Sequence, residues 1–539
     1  RLEDLDLSHM IQGWGKPQSK KSILGKPLRI CGTEFQHGVG THSLSLFAID
    51  LKGAALSFKA YVGVDEEIRL EIPDDKFLDK GTANFMVFVD KKLVYDSGLM
   101  KVFDKPREVN VDLKGAGRLD LIVEDGGDTM DYDHVDWADA CLILDPQSKL
   151  IPESIPRQSV PTMGILTPQP PDSPRINAQG IIGAGAHRDF LYYIPIAGIR
   201  PMEICVQGLP DGLEFNRKKG TIEGVTSDTA EHIIVISAEN ESGKDSKTIC
   251  LSIGKGLVRT PPMGWNSWNC WGTSVDEVKM KEAAEALIRT GLINHGWAYV
   301  NIDDAWQGER DQKTGRISSN GKFPDMKALA DFIHERGLKF GVYTDAGPKT
   351  CAGFEGSRSH EAIDAHTYSE WDVDYVKVDW CHTEGMDPKE AYSIFGKALA
   401  KCNRDIVFSI CNWGVNKPWE WGADVRGNLW RTTGDITDTW ASVQHIATAQ
   451  NPLHPHAKPG HWNDPDMLVI GKLGWGPEIR DTGLTPNQQY CHMSYWCLLS
   501  APLILGCDLT QLDDFTMNLI TNDEVIAVNQ DILGRQGRC

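Results

Sequence analysis

From Leu257 onward, short apolar runs alternate with stretches of helical periodicity, and nearly every run stops on polar or aromatic side chains. The runs are PPMGWN, AYVNIDD, KFGVYTD, DYVKVDW, DIVFSICNW, LWRTTGD, HWNDPDM and APLILGCD. Strands joined by helix-length connections pair in parallel, because an antiparallel pair needs only a tight turn. Eight such strands in a region of about 280 residues predict a (β/α)8 TIM barrel. The unit repeats visibly: HGWAYVNIDD follows the helical pattern TSVDEVKMKEAAEALIRTG, and RGLKFGVYTD follows PDMKALADFIHERG. Ser274 and Glu277 have capping-box spacing before the first helix, and Gly291 and Gly337 follow the two helices as stops.

The rest of the chain has a different grammar. Eight prolines fall between Pro146 and Pro174, which predicts an extended linker over residues 146–173. Residues 1–145 carry alternating runs such as LSLFAIDL, ALSFKAYVGV, NFMVFVD, RLDLIVED and ACLILD, the pattern of a β-sandwich. Residues 174–256 again read as short strands, with turns at Gly212 and in KKGTIEG. The barrel then occupies residues 257–539. The most apolar stretch, Tyr490 to Cys507, contains His492, Ser494, Ser500 and Pro502, so it predicts a helix entering a buried strand and no membrane span.

Bulk charge narrows the partners. With 55 Lys and Arg against 75 Asp and Glu, the net charge of −20 repels nucleic acid and anionic membrane. The 13 cysteines include no CxxC spacing, which argues against a zinc site. The 17 tryptophans suit stacking on sugar rings as well as core packing. The chain starts at Arg1 without an apolar leader, and the expectation is a secreted or periplasmic bacterial protein whose signal sequence is already removed.

DYVKVDWC poses the sharpest question, since a strand places Lys377 and Asp379 on one face. In a barrel the active site lies at the carboxyl ends of the strands. There the sequence puts Trp268, Asp303, Asp304, Tyr343, Asp345, Lys377, Asp379, Cys411, Arg431, Asp435, Asp464 and Asp466. No HxH or HExxH appears, no glycine-rich loop opens a helix, and no GxSxG elbow is present. The prediction is therefore no metal and no cofactor. Two aspartates on separate strands, flanked by Lys and Arg, fit glycoside hydrolysis, in which one carboxylate attacks and the other protonates the leaving group. Lys377 beside Asp379 is expected to favour the ionised carboxylate.

RTPPMGWNSWNCWG, VNIDDAWQ, FGVYTDAGPKTCAGFEGS, YVKVDWC, WRTTGDITDTW, WNDPDMLVIG, APLILGCDL and VIAVNQDILGRQG resemble glycoside hydrolase family 27, the α-galactosidase and α-N-acetylgalactosaminidase group. The resemblance runs from Arg259 to Gly537 and implies a retaining, exo-acting α-galactosidase working through a covalent glycosyl-aspartate. By that resemblance Asp379 is the nucleophile and Asp435 the acid/base. Lys377 and Arg431 hold sugar hydroxyls, and Asp303 and Asp304 grip those that distinguish galactose from glucose. Trp268, Tyr343, Asp466 and Met467 complete the wall, while Cys411 and Trp413 resemble the plant-type arrangement that accepts galactose. Cys351 and Cys381 match a disulfide pair, which favours an oxidising compartment. Ala305 stands where a family cysteine often does, leaving Cys270 without that partner.

The front segment resembles the NPCBM-type carbohydrate-binding module through IQGWGKPQSKKSILGKPLRI, FQHGVGTHSLSLFAIDL, YVGVDEE and DYDHVDWADACLIL. Residues 174–256 resemble the small immunoglobulin-like modules of secreted bacterial enzymes. The alternatives within the family are an α-N-acetylgalactosaminidase or another α-glycoside or β-L-arabinopyranoside hydrolase. The alternative outside it is a non-catalytic carbohydrate-binding protein. The expected partner is a carbohydrate bearing a terminal α-galactoside, and the sequence leaves the oligomeric state open.

Overall fold

The computed structural model describes residues 1–70, 81–126, 132–156, 167 and 170–538. Much of the proline-rich run, residues 157–166 and 168–169, lies outside the described residues. The chain divides into two units, residues 1–163 and 164–539.

In the first unit the alternating runs become two five-stranded antiparallel sheets. One contains Gly38–His42, His134–Leu144 and Ala55–Val64, and the other contains Ser45–Asp50, Arg118–Glu124 and Thr82–Val89. Alternate residues turn inward, so Phe47, Phe58, Phe85 and Trp137 share one core. The Trp137 indole meets Phe85 of the other sheet edge-on, with ring centroids 5.3 Å apart.

The second unit begins with a β-rich segment. Ile181–Ala184, Gly243–Ile253, Glu231–Asn240 and Glu203–Gln207 make one sheet, and Asp189–Tyr193, Thr221–Val225 and Leu213–Asn216 make another. Its own core includes Ile196, Ile222, Ile236 and Leu251. It is also bonded to the following barrel: Tyr193 Oη donates to Asn294 Oδ1 at 2.8 Å, and Arg188 Nη1 lies 2.8 Å from Asp405. Asn294 and Asp405 both precede barrel strands, so this segment covers the amino-terminal floor, away from the carboxyl ends.

All eight predicted runs form strands of one parallel sheet. They are β1 (Met263–Asn266), β2 (Tyr299–Asn301), β3 (Lys339–Asp345), β4 (Tyr375–Asp379), β5 (Val407–Ile410), β6 (Leu429–Arg431), β7 (Trp462–Asp464) and β8 (Leu503–Leu505). The order β7-β6-β5-β4-β3-β2-β1-β8 leaves β7 and β8 at the ends. The ends meet just past β7, where Leu468 N donates to Ile504 O at 2.8 Å and Gly506 N donates to Leu468 O at 3.1 Å. The result is a TIM-barrel-like fold. In β4, Val376 and Val378 pack against the helices, while Lys377 lies level with Tyr343 of β3 and Asp379 level with Asp345.

One capping expectation is corrected. The helix Glu277–Arg289 is capped by Asp276, whose side chain accepts from Lys279 N at 2.9 Å. Ser274 lies two residues too early and instead donates to Trp271 O at 2.6 Å. Gly291 and Gly337 do provide the left-handed turns after the two helices, both at φ +77°. Tyr490–Cys507 resolves into the end of helix Pro486–Leu498 and strand β8, and no helix among the described residues is long and apolar enough to cross a membrane.

Asp374, just before β4, anchors the strand at the floor. Its carboxylate accepts from Phe340 N (2.8 Å) and Arg404 Nη2 (2.8 Å) and meets His334 Nε2 at 2.7 Å. Burial works to raise its pKa, but His334, Lys339 and Arg404 outweigh that and hold it below the ordinary value. Its contribution is therefore present above about pH 4 and fades as pH falls further. Asp374→Ala removes the buried acceptor shared by Phe340 N, Arg404 Nη2 and His334 Nε2 and is expected to lower barrel stability by about 3–5 kcal/mol. Denaturant unfolding checks this; a loss under about 1 kcal/mol contradicts it.

Candidate active site

At the carboxyl ends of the strands a single pocket gathers both central carboxylates and every predicted sugar contact except Cys411, while Asp345, Asp464 and Cys381 lie outside its lining. Asn269, Cys351 and Trp475 also line it. Cys411 is fully buried beside these residues, its sulfur 3.7 Å from Arg431 Nη1.

Two cations organise the carboxylates. Lys377 Nζ lies 2.9 Å from Asp303 Oδ2 and 4.0 Å from Asp379 Oδ2. Asn266 Nδ2 donates to the same Asp303 oxygen at 2.8 Å. Arg431 Nη2 lies 2.9 Å from Asp435 Oδ1 and 3.1 Å from Asp466 Oδ2. Asp304 accepts from Ala352 N at 2.9 Å, and Asp466 accepts from Ile436 N at 2.9 Å. Among the described residues, Arg431 Nε and Asn269 Nδ2 are buried donors with no hydrogen-bond partner in the protein. Both are suited to a ligand oxygen.

Lys377 lowers the pKa of Asp379, as expected, but burial outweighs it. Burial pushes Asp379 up to about 7, and Lys377, though it pulls the other way, is spent mainly on Asp303. For Asp435 the outcome is opposite: enclosure works to raise its pKa, but Arg431 and Lys377 hold it below the ordinary value. Burial also lifts Asp304 to about 6 and Asp464 to about 6. Asp345, hidden behind Asp379, is pushed up to about 9 by burial and by the Asp379 charge. Lys377 stays protonated despite burial, chiefly because of Asp303.

Depth separates the two central carboxylates. The Asp379 side chain is 8% exposed and that of Asp435 63%, so one sits on the floor and the other at the mouth. Cys351 and Cys381 form the expected disulfide, with Cα atoms 5.1 Å apart. It ties the chain two residues beyond Asp379 to the loop whose Ala352 N holds Asp304. Asp345 reinforces the tie by accepting from Cys381 N at 2.9 Å and Gly347 N at 2.7 Å. The carboxylates of Asp345 and Asp379 lie near these sulfurs, but disulfide sulfurs are not thiolates and make poor metal ligands.

Backbone strain collects here as well. Ala305, Trp413, Asp466 and Trp475 all have positive φ, at +80°, +54°, +81° and +50°. Bulky residues rarely adopt this conformation unless their surroundings enforce it. Asn269 and Trp475 went unnoticed in the sequence. A tryptophan between two glycines in the loop after β7 was the available signal for the second, and adjacency to Trp268 for the first.

Comparison with known proteins agrees with this geometry. Residues 260–531, just over half of the chain, match the family model described as Alpha galactosidase A, and residues 1–143 match the NPCBM/NEW2 domain. The chain is 47% identical over 293 residues to Alpha-galactosidase A of Cellvibrio japonicus, covering 52% of this chain and 70% of that one. It is 46% identical over 286 residues to the alpha-galactosidase of Cyamopsis tetragonoloba, covering 52% and 67%. Among solved structures, a candidate alpha-galactosidase of Bacteroides fragilis aligns with a TM-score of 0.65 at 39% identity, over 68% of this chain and 80% of that one. Alpha-galactosidase I of Mortierella vinacea aligns with a TM-score of 0.50 at 37% identity, over 53% and 76%.

The disulfide closes a loop with a sequence separation of 30. Chain entropy assigns such a loop about 3–4 kcal/mol. The double substitution Cys351→Ser and Cys381→Ser should lose that much in denaturant unfolding, and reductant should then have no further effect. Equal stability of the variant and the oxidised protein contradicts this.

Proposed function

The chain belongs to the alpha galactosidase A family, and from that premise we propose that it is a retaining, exo-acting α-galactosidase with Asp379 as nucleophile and Asp435 as acid/base. The observation that carries this reading is the depth difference between the two carboxylates, with Lys377 and Arg431 bracing them. A terminal sugar entering the pocket meets Asp379 below its anomeric carbon and Asp435 beside the bond that leads out to solvent. Asp303 and Asp304 offer acceptors to ring hydroxyls, Lys377 and Arg431 offer donors, and Trp268 offers an apolar face.

In the first step a carboxylate oxygen of Asp379 bonds to the anomeric carbon as the glycosidic bond breaks. The proton on Asp435 passes to the departing oxygen. In the second step water gives a proton to Asp435, its oxygen attacks the same carbon, and Asp379 leaves. Two inversions retain the configuration. In the free protein the proton shared by this pair favours Asp379, whereas catalysis needs it on Asp435. Substrate supplies the correction: a sugar covering Asp435 removes water from it and favours its neutral form, while a hydroxyl donating to Asp379 favours the anion.

The bulky Trp413 on the wall supports galactose over N-acetylgalactosamine, because an indole leaves less room for an acetamido group. Comparing p-nitrophenyl α-galactoside with the α-N-acetylgalactosaminide tests that preference. The match to the NPCBM/NEW2 domain supports a carbohydrate-binding role for the first unit, and the Cys351–Cys381 disulfide supports a secreted or periplasmic location. Residues 174–256 are read as an immunoglobulin-like module that stabilises the barrel floor.

Asp379→Ala is expected to lower kcat by roughly 10⁴-fold or more, with galactose binding still measurable by calorimetry. Turnover near the wild-type level contradicts the assignment. The pH profile of kcat/KM should be bell-shaped. At low pH the pair holds two protons and Asp379 cannot attack. Above about 7, where Asp379 titrates in the free protein, the pair has lost its last proton and the leaving group goes unprotonated. α-Galactosyl fluoride, whose leaving group needs little acid help, should keep its rate across the alkaline limb. Identical limbs for the fluoride and a natural disaccharide contradict this.

A further inference from the structure

The loop after β7 folds back as a small hairpin in which Lys472–Leu473 pairs with Arg480–Asp481. Trp475 projects from its tip into the pocket wall, half-buried, with its backbone in the left-handed region. Three contacts hold it there. Trp475 N and Gly474 N both donate to Asn269 O, at 3.1 and 3.0 Å, tying the tip to the turn that carries Trp268. The Trp475 carbonyl lies where a side chain on Gly272 would be, 2.4 Å from that Cβ position, so this approach requires glycine. The Arg480 guanidinium lies 5.8 Å over the indole and is itself gripped by both carboxylate oxygens of Asp438, at 2.6 and 3.1 Å.

Asp438 is three residues beyond Asp435, so the loop that carries the acid/base also fixes the indole. The ring under attack is served by the buried set of Asp303, Asp304, Lys377 and Asp379. The sugar being released must emerge past Asp435, at the exposed mouth. A rigid, partly open indole at that mouth has the character of a sugar-stacking surface: flat, apolar and already ordered before the ligand arrives.

We propose that Trp475, positioned by Arg480 and Asp438, is the stacking platform for the leaving-group sugar, and that it selects α-galactosyl di- and oligosaccharides over galactosides with small leaving groups. The proposal rests on the α-galactosidase reading above. Two substrates separate the two: α-galactosyl fluoride, which has no leaving sugar, and an α-galactosyl disaccharide. If the wild-type protein turns over neither, the functional reading fails before the platform is tested.

With Trp475→Ala, kcat/KM for the disaccharide should fall by about tenfold or more, the scale of one aromatic stacking contact. For the fluoride it should fall by less than about threefold. Trp475→Phe keeps an aromatic face and should recover most of the disaccharide rate. Equal losses on both substrates would mean that Trp475 only shapes the wall, and an undiminished disaccharide rate would mean that it contacts no leaving sugar. Either result overturns the proposal. If Trp475→Ala does not fold, the test passes to Arg480→Met, which keeps the indole but releases its clamp. That variant must show the same disparity between substrates, and equal effects on both overturn the proposal.

Discussion

Two buried cations make this pocket possible. Asp303, Asp304, Asp345, Asp379, Asp464 and Asp466 crowd the carboxyl ends of the strands below Asp435, and burying so many carboxylates without compensation would unfold the site. Lys377 bridges toward Asp303 and Asp379, while Arg431 bridges Asp435 and Asp466. Burial, with neighbouring carboxylates adding to it, raises Asp304, Asp345 and Asp464 above the ordinary carboxylate value. The apparent misfit in DYVKVDWC is thus the support of the whole arrangement. Lys377 is on that strand because the acids of its neighbours need it there.

Covalent and backbone constraints then fix where the acids point. The Cys351–Cys381 disulfide joins the segment after Asp379 to the loop that holds Asp304, and the neutral-leaning Asp345 accepts from the amide of Cys381 itself. Left-handed backbone at Trp413, Asp466 and Trp475 marks three places where the chain is forced into the pocket wall, and Ala305, also left-handed, follows Asp304 directly. Such strain persists only where surrounding contacts enforce it, and here it coincides with the polar mouth of a barrel-like sheet.

Much of this was legible in the residues. Period and punctuation located all eight barrel strands, and their polar endings located the pocket, because side-chain type at a strand end depends on local sequence alone. What was not legible depends on distances across the fold. Lys377 next to Asp379 in sequence suggested a direct pair, but Lys377 reaches across to Asp303, and burial then dominates the titration of Asp379. Ser274 had the spacing of a cap, but the helix starts two residues later than that spacing implies and Asp276 takes the role. Trp475 sits in a loop whose hairpin has only two short strands, so no periodicity announced it.

The central claim is that Asp379 becomes covalently linked to the sugar while Asp435 manages the proton. The most direct measurement uses Asp435→Ala with an activated α-galactoside, followed by rapid acid quench, proteolysis and mass spectrometry. Without its base, the variant should release the linked sugar slowly. One anhydrohexose is expected on the peptide containing Asp379 and on no other. A label on a different carboxylate, or rapid turnover with no label and an inverted first-formed anomer, would contradict it.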